Sequence, residues 1–257
     1  MQHKKVSKFP LIEDPFKIDS PLVTMSNALL KAGHGLTLAE KRLIVCAISK
    51  LDSRRKLSNG EILTTTISAL EYSRIAGCNM RTAYEALQKA SKHLFERKIT
   101  FYEEISNKKG ITKSKIHMRW VGEIHYQSGE GWVKLFWWPK ILPFLTGLKK
   151  QFTSYKLHQS YALRSVYSWR LMELLLRFND TGYAEYSIEE FNNSMDASDK
   201  QKNNFNNIKR RIIEPAVKEL SKKEGWHIEW QAIKVGRKVQ RVSFIFCSEG
   251  NKKSALL

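Results

Sequence analysis

Cysteine and long apolar runs are both scarce in this sequence. Its 257 residues include three cysteines, Cys46, Cys78 and Cys247, an odd number without C-x-x-C spacing. That pattern excludes a disulfide framework and a cysteine-rich zinc site. No apolar stretch reaches the roughly 18 residues of a membrane span, and the first residues contain no apolar signal region. We therefore expect a cytoplasmic protein that does not contact a membrane.

Motifs of nucleotide and metal chemistry are absent as well. No G-x-x-x-x-G-K-[ST] loop occurs, which excludes an ATPase of that class. The seven histidines contain no His-x-His pair that would hold a nicking metal, and no acidic pair has the spacing of two-metal catalysis. The sequence therefore predicts no catalytic residues, no metal site and no cofactor.

Acidic residues are few relative to basic ones. There are 44 lysines and arginines against 25 acids, a net charge of +19. Residues 1–150 hold 26 of the bases and 13 of the acids, so both halves of the chain are basic. Because the charges alternate with periodic apolar residues, they belong to folded surfaces that attract a polyanion, most often nucleic acid. Solubility alone, the other explanation, needs far less charge.

The N-terminal half has the element order of a winged helix. Residues 1–21 read as a flexible arm, and Thr37 with Glu40 forms a capping box for a helix to about Leu51. The pattern then predicts a strand at 62–67, a helix capped by Ser68 and ended by Gly77, a helix from the cap Asn79 to about Arg97, and strands at 99–102, 116–124 and 132–138. Two helices joined by a tight turn indicate a helix-turn-helix, and the strands after it indicate the wing.

The C-terminal half repeats this order. A helix from Tyr161 to Phe178 carries an apolar stripe, and its arginines at 164, 170 and 177 fall off the centre of that stripe. The pattern continues with a strand at 183–186, a helix from the cap Ser187 to Asn193, a long helix at 200–223 that Pro215 must kink or split, and strands at 226–233 and 239–246. We therefore predict an α+β fold of two tandem winged-helix domains, 22–150 and 151–247, followed by a tail at 248–257.

The second helix of a helix-turn-helix enters the major groove by its N-terminal part. In the C-terminal domain, the main DNA reader, this places polar residues at the groove: Lys200, Gln201, Lys202, Asn203, Asn204, Asn207, Lys209, Arg210 and Arg211. The segment contains five cations and no acid, whereas a merely solvated helix face usually includes acids at i±4. Amides pair with adenine and arginine pairs with guanine, so the composition suits base reading as well as phosphate binding.

Basic residues in the wing and in the N-terminal domain extend this surface. The wing supplies Lys234, Arg237, Lys238 and Arg241 for phosphate contact. The N-terminal domain supplies Asn79, Arg81, Thr82 and Lys89, with a weaker set in its hairpin at Lys108, Lys109, Lys113 and Lys115. This domain can instead serve dimerisation. Its alternating strand residues Ile116, Met118 and Trp120, and Val133, Leu135 and Trp137, either pair across a two-fold axis or pack within their own domain.

Two blocks of the sequence resemble the iteron-binding plasmid replication initiators. The first consists of Asn27–Ala32, Leu36–Leu43 and Ala47–Asp52, and the second of Phe205–Leu220 with Lys234–Val239. The resemblance covers about residues 25–247. It implies two winged-helix domains in a bacterial, plasmid-associated protein that binds direct repeats at an origin and opens the adjacent AT-rich duplex.

The resemblance also implies partners and places the DNA-binding elements. The partners are double-stranded DNA, the host helicase, the host chromosomal initiator and a second copy of the chain, since the family's dimer represses its own gene through an inverted repeat. The major-groove helix falls on Lys200–Arg211 and the wing on Lys234–Arg241.

Two other functions remain open at this point. A winged-helix transcriptional repressor without a replication role would bind an operator and leave the duplex closed. A rolling-circle nicking enzyme would need a metal-binding histidine pair and a nucleophilic tyrosine, and the missing pair argues against it.

Overall fold

Each half of the chain combines helices with a three-stranded antiparallel sheet. The computed structural model describes residues 20–107, 110–127 and 129–248. The N-terminal half contains β1 (Leu22–Ser26), α1 (Asn27–Lys31), α2 (Leu38–Ile48), β2 (Thr64–Ser68), α3 (Ala69–Ala76), α4 (Met80–Leu94), β3 (Lys98–Asn107), β4 (Gly110–Arg119), β5 (Val121–Tyr126), β6 (Trp132–Trp137), a 3₁₀ turn (Pro139–Phe144) and β7 (Phe152–Lys156).

The C-terminal half contains a 3₁₀ turn (Leu157–Ser160), α5 (Val166–Leu176), β8 (Tyr183–Ser187), α6 (Ile188–Ser194), α7 (Asp199–Lys202), α8 (Phe205–Ile208), a π-helical turn (Lys209–Ile213), α9 (Glu214–Glu224), β9 (His227–Val235) and β10 (Lys238–Cys247). The three-stranded sheets have the orders β2-β6-β5 and β8-β10-β9. In both halves the strand that precedes the helix-turn-helix pairs with the last strand of the wing. The predicted α+β fold with two tandem winged helices is therefore confirmed.

A short-range signal, the capping box of Thr37 and Glu40, sets the start of α2, as predicted. Thr37 Oγ1 accepts a hydrogen bond from the Glu40 amide at 3.4 Å, and Glu40 Oε2 accepts one from the Thr37 amide at 2.8 Å. Helices α2 and α4 end three residues earlier than predicted, at Ile48 and Leu94. Their next bonds run from residue i to i−3, as in Leu51 N to Ile48 O at 2.9 Å, so the last turn narrows into 3₁₀ geometry.

The predicted strand at 116–124 is wrong in one respect, because it divides at Trp120. Trp120 is fully buried, and its indole nitrogen donates to the His34 carbonyl at 3.0 Å. The chain turns into the core at this residue, which ends one strand and begins the next. Strand β4 therefore pairs with β3 in a separate two-stranded sheet, and β5 and β6 form the wing. Lys113 and Lys115 lie on β4, outside the wing, and Lys108 and Lys109 lie outside the described residues.

The apolar strand residues of this half are used inside it. Four of these side chains are at most 1% exposed: Trp120, Val133, Leu135 and Trp137. They pack within their own domain, which is one of the two predicted uses. Ile116 is 38% exposed and remains on the surface.

The helix predicted at 200–223 is interrupted near Pro215, as predicted, and it has a second break at Asn204 that was not predicted. Asn204 starts a new helix, with its side chain accepting from the Asn206 amide at 2.9 Å. Pro215 has no amide hydrogen to donate to the carbonyl four residues earlier, and the π-helical turn ends two residues before it, at Ile213. Gly225 ends α9 with a φ of 64°.

The helix predicted from Tyr161 starts at Val166, because Ser165 caps it and residues 157–160 form a separate turn. Its Arg170 was expected off the centre of the apolar stripe, yet it is 1% exposed. The guanidinium donates to the carbonyls of Leu30, Ala32 and Ser194 at 2.8, 2.9 and 2.8 Å. It therefore joins the end of α1 in the N-terminal half to the end of α6 in the C-terminal half.

The charge of Arg170 is balanced by Glu173, which is also fully buried. Glu173 accepts from Arg170 Nη1 at 3.0 Å, from Lys41 Nζ at 2.8 Å and from Tyr155 Oη at 2.9 Å. Burial lowers the pKa of Lys41 to about 8, and Glu173 opposes that shift. We call Arg170, Glu173, Lys41, Tyr155 and His34 the Arg170 cluster.

His34 completes the Arg170 cluster as a neutral ring. Its Nε2 lies 2.9 Å from the Leu29 carbonyl, which can only accept, so Nε2 carries the proton and Nδ1 faces Lys41 Nζ at 3.3 Å. Burial, followed by the charges of Arg170 and Lys41, lowers the pKa of His34 well below its ordinary value. Asp196, just after α6, accepts from the amides of His34 and Gly35 at 2.8 and 3.0 Å.

Strand pairing also crosses the domain boundary predicted at residue 150. β7 pairs with β1, with Val23 opposite Tyr155. Residues 152–156 thus share a sheet with residues 22–26 of the N-terminal half. The strand leads directly into the turn before α5, so the two halves are joined by structured chain.

The Arg170 cluster predicts a large stability effect for one isosteric substitution. Glu173→Gln keeps the shape of the side chain and removes the charge that balances Arg170 and Lys41. Breaking a buried pair in this way costs roughly 3 to 5 kcal/mol. The free energy of unfolding, measured in urea, should fall by that amount. As a control, Glu85→Gln removes an ion pair with Arg81 whose side chains are 69% and 90% exposed, and should leave stability unchanged. Equal midpoints for the two variants would contradict this role.

Candidate nucleic-acid interface

The helix-turn-helix of the C-terminal half presents an exposed basic face. The buried residues Ile208, Ile212 and Ile213 anchor the segment from α8 through the π-helical turn, which leaves Arg210 and Arg211 on the surface. Within the described part of the chain, neither arginine makes a hydrogen bond or an ion pair. Lys200, Lys202 and Asn203 are also exposed. The arginines can therefore meet a base or a phosphate without first giving up a partner.

Three of the predicted amide contacts hold the turn together in the free protein. Gln201 Oε1 accepts from the Ser198 amide at 2.8 Å, and its Nε2 donates to Tyr167 Oη at 3.3 Å. Asn204 caps α8, and Asn207 Nδ2 donates to the Lys200 carbonyl at 3.2 Å. An amide that reads a base from these positions has to exchange a local bond for the new one.

Aromatic packing holds this segment against the wing. Phe205 and Trp230, on β9, have ring centroids 6.4 Å apart. Lys209 Nζ lies 6.0 Å from the centre of the Trp230 ring and 3.6 Å from Glu214, so its charge is partly balanced. Lys202 Nζ is 3.3 Å from Asn193 Oδ1. The basic face and the base of the wing are therefore parts of one surface.

The wing cations differ in their surroundings. The turn between β9 and β10 has Gly236 at a φ of 62°, and Lys234, Arg237 and Lys238 around it are exposed. Arg241 lies farther along β10, where β8 begins to pair, and its guanidinium is 2.6 Å from Glu185. Arg241 would therefore have to weaken its ion pair with Glu185 to contact DNA, whereas the cations at the tip of the wing would not.

The N-terminal half repeats the arrangement with fewer cations. Asn79 caps α4 by accepting from the Thr82 amide at 2.8 Å, Arg81 pairs with Glu85 at 3.3 Å, and Lys89 is exposed. The wing turn packs on this helix at Gly131, where φ is 68° and a Cβ would overlap the Tyr84 ring. The missing side chain of Gly131 therefore lets the wing turn approach the Tyr84 ring closely.

Two residues that position these elements, Arg164 and Asp196, were not predicted from the sequence. Arg164 Nη1 donates to the Ala76 carbonyl at 3.0 Å, at the end of α3, and its backbone amide donates to Glu219 on α9 at 2.9 Å. Asp196 fixes the turn after α6 to the N-terminal half. No local pattern marks either residue, because both act on partners more than 50 positions away.

Residues 20–107, 110–127 and 129–248 contain neither a metal-binding cluster nor a membrane-spanning helix. In these ranges no three histidine, cysteine or acidic side chains cluster closely enough to hold a metal ion. In the same ranges no helix has the length and apolar character to cross a bilayer.

Comparison with known families gives matches over both halves. A family model described as "Initiator Replication protein, WH1" matches residues 22–176, and one described as "Initiator Rep protein, WH2" matches residues 187–246. An uncharacterized 27.6 kDa protein of Escherichia coli is 23% identical over 210 residues, which cover 78% of this chain and 85% of that protein.

A solved structure has the same fold. The crystal structure of Pi initiator protein in complex with iteron DNA superposes with a TM-score of 0.71 at 22% sequence identity. The superposition covers 90% of this chain and 98% of that one. The two tandem winged helices thus recur together in a second protein.

The pairing of Arg241 generates a prediction about the wing. Arg237→Ala should weaken binding to duplex DNA and reduce the slope of log affinity against log salt by about one, as expected for one lost phosphate contact. Arg241→Ala, the matched control, should change the slope much less because Glu185 already neutralises that charge. Fluorescence anisotropy over a salt series measures both slopes. Equal losses would mean that the Glu185 pair opens on DNA.

Proposed function

Because the chain belongs to the initiator replication protein family, we propose that it starts plasmid replication by binding direct repeats at an origin in the bacterial cytoplasm. The observation that carries this proposal is the pair of winged helices in one chain, each with an exposed basic face. The iteron complex of the Pi initiator protein, which has the same fold, supports double-stranded DNA as the partner.

The geometry supports reading of one asymmetric repeat by one chain. The Arg170 cluster and the Arg164 contacts join the two units, so the two recognition segments keep a constant separation. A symmetric dimer matches an inverted repeat, whereas two linked units of one chain match two different half-sites in tandem. The DNA-binding residues proposed here are the sequence-predicted set. Within the described part of the chain, its cations without a side-chain partner are Lys89, Lys200, Arg210, Arg211, Lys234, Arg237 and Lys238.

The later steps of initiation form the second part of the proposal. Binding at several repeats opens the adjacent AT-rich duplex, and the bound protein recruits the host helicase and the host chromosomal initiator. The chain supplies binding and no catalytic step of its own. As a dimer it represses its own gene through an inverted repeat, using the N-terminal half for self-association.

Base reading is tested at the two unpaired arginines. Arg210→Ala and Arg211→Ala should each cost roughly 1 to 3 kcal/mol of binding to the specific site if the side chain pairs bidentately with a base. Binding to unrelated DNA should weaken less. Competition titrations with the specific and a shuffled duplex measure the difference. Equal weakening on both duplexes would assign the residue to phosphate, and no weakening would contradict the placement of the recognition segment.

Initiation is distinguished from simple repression by duplex opening. Footprinting of the DNA that flanks the gene, with permanganate reactivity in the same samples, should show protected repeats beside a reactive AT-rich tract. Protection of an operator without permanganate reactivity would favour a transcriptional repressor and contradict the proposed initiation step.

Stoichiometry tests the proposed change of oligomeric state. Analytical sedimentation should find one chain on a single direct repeat and two chains on an inverted repeat. The physical reason is the match between the symmetry of the protein and that of its site. A stable dimer on one direct repeat would contradict this prediction.

A further inference from the structure

A groove of about 530 Å³ lies between the β3–β4 hairpin, α1 and α6. Its apolar part is formed by Phe101, Ile116, Met118 and Phe144. Phe101 and Phe144 stack with their ring centroids 4.9 Å apart. The groove thus offers a pre-formed apolar floor at the junction of the two halves.

The groove is acidic in a strongly basic protein. Four glutamates line it: Glu103, Glu104, Glu189 and Glu190. Lys31 is the one lysine among the described residues that line it. Lys31 is itself paired with Glu190 at 2.7 Å. Burial raises the pKa of Tyr102, also in the groove, and the carboxylates of Asp196, Glu189 and Asp199 raise it further. Lys115 Nζ lies 5.9 Å from the centre of the Tyr102 ring, yet the four glutamates outnumber the two lysines, so the groove favours a cationic ligand over phosphate.

One side of the groove is an open strand edge. The amide and carbonyl of Thr100 on β3 bond to Gly33 at 2.8 and 3.0 Å. Since hydrogen-bonding direction alternates along a strand, the backbone groups of Tyr102 and Glu104 point to the same edge. Within the described part of the chain they have no backbone partner. An added strand can therefore pair with β3 from Tyr102 onward, beyond the single bridge between Gly33 and Thr100.

The glutamates of the groove determine the charge of the strand that can bind there. A second copy of this chain, adding its own β3 to this edge, would bring Glu103 and Glu104 of both copies together, and like charges across a strand pair are destabilising. We propose that the groove binds an extended cationic segment of another protein, which adds a strand to β3. Its lysine or arginine side chains lie on the same face of the sheet as Tyr102 and pair with Glu104, and its apolar side chains lie on the opposite face beside Phe101. This binding is independent of the DNA surface.

The test uses the full chain and a fluorescent ten-residue peptide in which lysine alternates with valine and phenylalanine. The peptide should bind saturably by anisotropy. The double variant Glu103→Gln, Glu104→Gln should weaken binding at least tenfold, and Glu130→Gln, a control at an exposed glutamate of the β5–β6 turn, should not. Because the carboxylates are on the surface of the hairpin, the variant is expected to fold, which circular dichroism verifies.

Backbone pairing has its own readout. Hydrogen exchange at the amides of Tyr102 and Glu104 should slow in the presence of the peptide, and a peptide N-methylated at every second residue should lose binding. Binding that is insensitive to the glutamate substitutions or to N-methylation would overturn the proposal. Binding that requires removal of residues 1–19 would identify the chain's own N-terminal segment as the occupant. Protection of both amides in a peptide-free dimer would identify a second copy, and either result overturns the proposal.

Discussion

The buried guanidinium of Arg170 lies at the centre of the contacts that hold the two winged helices to each other. Its partners come from α1, from α6 and from its own helix, and Glu173 balances its charge at 3.0 Å. A buried charge that loses its partners is far more costly than an exposed one. The two halves therefore favour the one arrangement in which all these bonds form. That constraint gives the two recognition segments a defined separation, which a protein that reads a tandem site with one chain requires.

The proposed DNA-binding surface contains side chains that stabilise the fold and side chains that have no partner within the described residues. Gln201, Asn204 and Asn207 stabilise the short helices around the turn, while Arg210 and Arg211 are exposed and make no bond to any described residue. The same division holds in the wing, between Arg241 and the cations around Gly236. Charged groups without a protein partner gain most from phosphate, because they lose no existing interaction on binding.

The positive charge of the protein is unevenly distributed over its surface, and one groove is acidic. The acidic groove between the β3–β4 hairpin and α6 carries carboxylates from both halves of the chain. A phosphate backbone and a cationic peptide would be sorted to different faces by the sign of the local potential. The β3–β4 hairpin, which lies outside the winged-helix sheet, is the element that creates this second face.

The sequence by itself determined the features that depend on neighbours a few residues apart. Helix caps at Thr37, Ser68 and Asn79, the left-handed glycine Gly77 and the alternation of the strands are local, so two winged helices and the exposed basic segment at 200–211 were predictable. The tertiary structure decided the rest, because the groups involved are far apart in the chain. The strand at 116–124 breaks where Trp120 finds the His34 carbonyl, 86 residues earlier. Arg170 is buried since residues 30, 32 and 194 supply its acceptors, and Arg241 is paired since Glu185 lies on the adjacent strand.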